Sequence, residues 1–261
     1  TGTGLQSARW APNRLGACQT GGYSMISQTL SNLARTLLNG CTTFVQRECV
    51  LCGAPSGGAR LCPGCRGDLP ANGTSCPICA GPGEGRVCGA CLQDPPPYDR
   101  CIAALRYEFP ADELIQALKY RGELMLAPVL ADILARAVAH APRPDVILPL
   151  PLSDARLRQR GFNQAGEIAR PLARRLGVRL DLETLVRVRD TAPQVQLSAA
   201  ERNRNVRDAF ACRSTVAGLH VAVVDDVMTS GATLREAAKA LKRAGAAEIS
   251  LWVVARALPG K

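Results

Sequence analysis

VAVVDDVMTSGAT, residues 221–233, is the stretch that decides the fold. Val221–Val224 is an unbroken apolar run rich in β-branched residues, the pattern of a strand buried on both faces. Asp225 and Asp226 close that strand. Met228–Thr233 is a small-residue turn around Gly231, and a helix is expected to begin near Thr233. Strand, tight turn and helix in succession form the repeating unit of a parallel sheet with helical crossovers.

The same alternation continues outward from this run. Cys101–Tyr107 and Ile249–Val254 read as strands, and Asp145–Leu148 as a buried strand running into Pro149-Leu150-Pro151. Asp112–Lys119 and Leu126–Ala139 carry apolar residues at three- and four-residue steps and read as helices. Ala165–Leu176 is a helix closed by Gly177, and Ala232–Ala244 one stopped by Gly245. The expected class is α/β, with a parallel sheet covered on both faces.

In an open α/β sheet, ligands collect beyond the carboxyl ends of the strands. The amides of a small-residue turn and of a helix N-terminus form an anion site there. Thr229, Ser230 and Thr233 add hydroxyl donors for a phosphate, while Asp225 and Asp226 can accept hydrogen bonds from sugar hydroxyls. This run resembles the signature of the type I phosphoribosyltransferases. The resemblance implies that Asp225 and Asp226 hold the ribose 2′- and 3′-hydroxyls of phosphoribosyl pyrophosphate. It implies that Met228, Thr229, Ser230, Gly231, Ala232 and Thr233 cradle the 5′-phosphate, with magnesium accompanying the ligand.

Pro149, Leu150 and Pro151 look like the loop that grips pyrophosphate in those proteins. Residues 191–210 (TAPQVQLSAAERNRNVRDAF) look like the mobile hood, with Arg187, Arg189, Arg202 and Arg204 as candidate charges for the leaving pyrophosphate. One position departs from the pattern. Purine-salvage members carry an Asp three residues after the second acid, and here that residue is Thr229. Purine specificity is therefore not implied, and no catalytic base can be named.

Upstream lies a different chemistry. Of 12 cysteines, eight form four Cys-x-x-Cys pairs between residues 49 and 91: Cys49/Cys52, Cys62/Cys65, Cys76/Cys79 and Cys88/Cys91. Thiols this close bridge poorly to each other but chelate one metal well. Four thiolates per ion make a closed tetrahedral zinc site, structural rather than catalytic. Two zinc ions are expected, with sequential pairing preferred over a crossed arrangement of the same residues. A redox role would need a pair heading the helix of a thioredoxin-like unit, which is absent here. Cys18, Cys41, Cys101 and Cys212 have no partner at ligand spacing and read as small apolar residues.

The organisation follows from these segments. Residues 1–27 are expected to be a disordered tail, with Met25 a candidate natural start. Residues 28–47 form an amphipathic helix, 48–93 the double zinc ribbon, and 94–99 (DPPPYD) a stiff linker. Residues 100–261 form the phosphoribosyltransferase-like domain. His140 and His220 are isolated and read as helix-end and strand-edge residues. No apolar run approaches the ~18 residues of a membrane span, and no export signal is evident. A reducing cytoplasm is the expected compartment, with peripheral contact at the inner membrane face.

The formal charge of +10 is concentrated downstream: residues 1–99 hold 7 basic and 5 acidic residues, residues 100–261 hold 25 and 17. Such an excess suits polyanionic partners, or else is a solvated basic surface.

A double zinc ribbon joined to a type I phosphoribosyltransferase-like domain resembles the ComF family of competence-linked proteins, with its GntX-type members. Besides the cysteines and the 221–233 run, the resemblance rests on Leu118-Lys119-Tyr120-Arg121-Gly122, on Pro149-Leu150-Pro151, and on Arg158-Gln159-Arg160-Gly161-Phe162-Asn163-Gln164. In the last string, Arg158, Arg160, Phe162, Asn163 and Gln164 can contact phosphate and stack on a base. They can equally cap a helix and fill a core. The family implies handling of imported single-stranded DNA together with uptake-machinery proteins. Two further functions stay open: a phosphoribosyltransferase of nucleotide metabolism, and a sensor that binds phosphoribosyl pyrophosphate without chemistry.

Overall fold

The computed structural model describes residues 48–189 and 207–258. The expected tail, the amphipathic helix and most of the hood, with Arg202 and Arg204, lie outside the described residues, as do Cys18 and Cys41. The elements in chain order are α1 (Pro63–Gly67), α2 (Gly89–Gln93), β1 (Arg100–Arg106), α3 (Ala111–Arg121), α4 (Ala127–Ala137) and β2 (Val146–Pro149). There follow α5 (Asp154–Arg160), α6 (Gln164–Leu176), β3 (Arg179–Leu180), β4 (Leu185–Arg187), β5 (Phe210–Cys212), β6 (His220–Met228), α7 (Ala232–Arg243) and β7 (Glu248–Arg256).

Five strands form one parallel sheet in the order β1-β7-β6-β2-β3; β4 and β5 pair separately and antiparallel. Side chains alternate between faces along a strand, and the buried residues sort accordingly. Ile147, Ala222, Val224, Trp252 and Val254 pack with α3, α4 and α6 on one face. Val146, Leu148, Val221, Val223, Ile249, Leu251 and Val253 pack with α7 on the other. The central strands are therefore apolar throughout, as a sheet covered on both faces requires. Gly177 and Gly245 stand where the sequence places them, each with positive φ after its helix.

Two elements differ from the sequence reading. β6 continues beyond Val224 through both acids to Met228, because β7 pairs with it as far as Met228↔Arg256. The carboxylates thus sit on a strand, not at its end. The arginine-rich string Arg158–Gln164 begins inside a helix the sequence reading did not give, α5, started by the Ser153 hydroxyl and ended by Gly161 at φ 81°. Five charged or polar residues in seven hide it from any hydrophobic periodicity.

The cysteine module docks on the sheet. Asn72 N–H donates to the Ala104 carbonyl (3.1 Å), Arg106 N–H to Pro70 (2.8 Å) and Cys101 N–H to Pro77 (3.1 Å). Residues 70–77 thereby cover the free edge of β1, which would otherwise offer unpaired backbone groups. Residues 94–99 lie against the same body: Tyr98 is buried, Asp94 pairs with Arg235 at 2.9 Å, and Asp99 accepts from Ile249 N–H at 2.7 Å.

Candidate functional site

The sequence-flagged segments converge on one cleft of about 1010 Å³ at the carboxyl ends of β2 and β6. Asp225, Asp226 and Met228–Thr233 form its floor. Leu150 and Pro151 line one side, Arg160, Phe162 and Gln164 another, and Lys119, Tyr120 and Arg121 a third. Five cationic side chains (Lys119, Arg121, Arg156, Arg160, Arg187) face two carboxylates. Arg158, by contrast, is exposed and does not line the cleft, and Pro149 and Asn163 border a smaller neighbouring groove.

The phosphate-type loop is built by Gly231. Its φ of 78° is a conformation that L side chains adopt only under strain, and a Cβ there would stand 2.5 Å from Met228 Cε. Past this turn α7 starts at Ala232, and Thr229 and Ser230 remain exposed to the cleft.

Alternation along β6 sends the two acids to opposite faces. Asp226 points with Ala222 and Val224 toward α3, where the Lys119 ammonium lies 2.9 Å from its Oδ2. Burial alone would push the Lys119 pKa down, but the adjacent Asp226 carboxylate, with Asp225 behind it, raises it above the ordinary lysine value. Asp225 is displaced in its own way: burial, then the neighbouring Asp226 charge, push its carboxyl up to about 8, against the pull of Lys119. At neutral pH the Asp225 carboxyl is therefore largely protonated.

The flanking segments are held in place from within. Asn163 accepts from Ala165 N–H (3.1 Å), capping α6, and its Nδ2 donates to the Leu150 carbonyl (3.1 Å). Arg160 donates to Gln164 Oε1 at 2.5 Å and lies over the Tyr120 ring, 5.5 Å from its centroid. The tripeptide 149–151 offers no free amide: two of its residues are prolines, and Leu150 N–H is bonded to the Val224 carbonyl. Any grip on an anion beside it falls to side chains such as Arg156 and Arg160.

Lys119 is the site residue that sequence reasoning quoted without giving it a role. A signal was present, since it stands four residues after buried Ile115 and so falls on the inward face of α3.

The cysteines fall into two tetrads, Cys49/Cys52/Cys62/Cys65 and Cys76/Cys79/Cys88/Cys91, with all sulfurs of each within 4.8 Å of one another. The pairing is the sequential one. Zn–S bonds of ~2.3 Å in a tetrahedron separate sulfurs by about 3.8 Å. Cys52 and Cys62 stand 3.8 Å apart, Cys79 and Cys88 3.6 Å, so the donor sets fit zinc. Backbone amides support the thiolates, Cys65 N–H on Cys62 Sγ (3.4 Å) and Cys88 N–H on Cys76 Sγ (3.3 Å). Burial raises Cys49 and Cys76, but amide hydrogen bonds outweigh it and hold them at about 6 and about 7. Cys101, which read as a small apolar residue, is buried, its thiol pushed up to about 12 by that burial.

Among the described residues no helix is long and apolar enough to cross a membrane. The chain matches the phosphoribosyl transferase domain family over residues 163–260 and the double zinc ribbon domain family over residues 43–94. It is 41% identical to the DNA utilization protein YhgH of Salmonella typhi over 204 residues, 76% of this chain and 85% of the relative. The YhgH protein of Escherichia coli O6:H1 is 39% identical over 220 residues, 80% of this chain and 97% of that protein. Competence protein F of Haemophilus influenzae is 34% identical over 211 residues, 76% of this chain and 90% of its own length.

Proposed function

The chain belongs to the ComF family of competence and DNA-utilization proteins, and from that premise we propose that it binds phosphoribosyl pyrophosphate and single-stranded DNA in DNA uptake, at the inner face of the membrane. The ribose hydroxyls meet Asp225 and Asp226, and the 5′-phosphate meets the amides and hydroxyls of Met228–Thr233. The pyrophosphate, with its magnesium, faces Arg121, Arg156 and Arg160. The strand runs on past Arg158, which lies on α5 between Arg156 and Arg160 and faces solvent.

One observation carries this reading: the acid pair, the small-residue loop and the side chains of Arg160, Phe162 and Gln164 share a single cationic cleft. A strand passing that string comes within reach of the same ligand. Bases can stack on Tyr120 and Phe162, and phosphates can meet the arginines.

The volume of the cleft favours a second reading. About 1010 Å³ is at the upper end of small-ligand pockets, leaving room for an acceptor beside the phosphoribosyl group and hence for transfer.

Calorimetry with phosphoribosyl pyrophosphate and magnesium, repeated with a short single-stranded oligonucleotide, tests both ligands and their coupling. The expected result is binding of each, with Asp225→Asn and Asp226→Asn variants losing the phosphoribosyl ligand. No heat with phosphoribosyl pyrophosphate at any magnesium concentration would sink the proposal. Release of pyrophosphate with any acceptor would establish the second reading.

A further inference from the structure

We infer that Arg256 is a positioning residue for the phosphate loop, and that through it the second cysteine tetrad sets how well that loop binds phosphate. The inference rests on the reading of Met228–Thr233 as a phosphate site.

Arg256 ends β7, directly beside Met228 in the parallel register, and is only 8% exposed. Its Nη1 donates to the Met228 carbonyl at 2.9 Å and also to the carbonyls of Thr229 and Ala257, while its Nε donates to the Cys79 carbonyl at 3.0 Å. All four acceptors belong to the main chain. One guanidinium thus bridges a zinc knuckle and the first two residues of the loop.

The bridge has a directional consequence. In a planar trans peptide the C=O and the following N–H point opposite ways. With the Met228 and Thr229 carbonyls drawn onto Arg256, the N–H groups of Thr229 and Ser230 are turned away from it. Both residues are exposed and line the cleft. Arg256 therefore aims loop amides at the position an anion would take, and its permanent charge lies buried beneath them. A lysine has no planar fork with which to hold several carbonyls at once.

A second path joins the same two places. Cys101 Sγ donates to Met228 Sδ at 3.6 Å, and Cys101 N–H donates to the carbonyl of Pro77, between Cys76 and Cys79. The Met228 side chain in turn packs against Gly231. The Cys76–Cys79 knuckle therefore supports the loop through both its backbone and its packing. The knuckle Cys76-Pro77-Ile78-Cys79 gives the core beside it a single large apolar side chain, Ile78, so its shape depends chiefly on the four sulfurs being drawn to one ion. Releasing that ion frees the Cys79 and Pro77 carbonyls and loosens what Arg256 holds. By reciprocity, a ligand that orders the loop must slow loss of metal from this tetrad, and not from the other.

The test uses the full zinc-loaded chain. Hydrogen exchange of the segment 226–234 and affinity for phosphoribosyl pyrophosphate are measured for the native protein and for Arg256→Lys. Zinc release to a chromogenic chelator is measured on the native protein with and without the ligand. Losing charge-assisted bonds to the loop is expected to speed exchange and weaken binding by about tenfold each, with both zinc equivalents retained. In the native protein the ligand is expected to slow release of one zinc equivalent and leave the other unchanged.

Native-like loop exchange in a folded Arg256→Lys protein would overturn the inference, as would equal protection of both tetrads or of neither. The release measurement needs no variant, so misfolding of Arg256→Lys leaves a decisive arm. If the native protein binds no phosphoribosyl pyrophosphate, the functional reading falls. Loop exchange after chelation then decides the linkage alone: faster exchange supports it, unchanged exchange overturns it.

Discussion

Lys119 on α3 and Asp226 on β6 form an ion pair of 2.9 Å at the floor of the cleft, with the two side chains only 17% and 3% exposed. The contact joins a helix on one face of the sheet to the strand that carries the acid pair. It also provides a resident counter-charge, so two adjacent carboxylates can be buried without an external cation.

Replacing Lys119 by Met is expected to destabilise the protein by about 3 kcal/mol, since it leaves a buried carboxylate unpaired. The double variant with Asp226→Asn should recover much of that loss. Urea denaturation of the four members of the cycle measures the coupling. Additive effects would mean that the pair contributes nothing.

Asp225 gives a pH dependence of defined sign. Its carboxyl is raised from 3.8 to about 8 in the folded protein, so between those values the native state holds a proton that the unfolded chain has released. Its contribution to stability is complete below the unfolded pKa and is lost as pH rises through the folded one. Asp225→Asn should therefore gain stability relative to the native protein across this window. Thermal melts of both proteins at pH 5, 7 and 9 test it; a constant difference would refute the assignment.

Each tetrad should hold its own ion. Cys65→Ser and Cys88→Ser are each expected to reduce zinc from two equivalents to about one, the loss falling on the tetrad that was altered. The first loss should also lower the melting temperature, because Cys49 and Leu61 pack into the core beneath α3 and α4. Elemental analysis with calorimetric melting reads both effects.

Arg158 and Arg160 should differ in their effect on oligonucleotide binding. Exposed Arg158 can offer a phosphate contact alone, so its change to Ala should reduce the salt slope of single-strand affinity by about 0.7. Arg160 also organises Tyr120 and Gln164, so its loss should weaken binding more than the slope accounts for. Titrations at several salt concentrations separate the two.

Asn163 offers a structural control. It caps α6 and holds the Leu150 carbonyl, so Asn163→Ala should cost about 1–2 kcal/mol. Chemical denaturation checks it.

Local pattern alone made much of this molecule legible. The strand–turn–helix at 221–233, the glycines after α6 and α7, and the four Cys-x-x-Cys pairs are written in periodicity, turn chemistry and ligand spacing, which depend on neighbours a few residues away. That is why the α/β class, the zinc ribbon and the position of the loop could be read without coordinates. The 13 residues of that opening run sufficed to locate the acids and the turn.

What joins distant residues was not written there. No spacing relates Lys119 to Asp226, Arg256 to Cys79 and Thr229, or Tyr120 to Arg160. Each pair is separated by tens to nearly two hundred residues and meets only because parallel strands place non-consecutive segments side by side. The extension of β6 through its acids was hidden for the same reason: the pairing that makes it a strand comes from β7. The 221–233 run by itself determined that two acids precede a small-residue turn and a helix; the tertiary structure decided which charges surround that turn and which side chain holds its carbonyls.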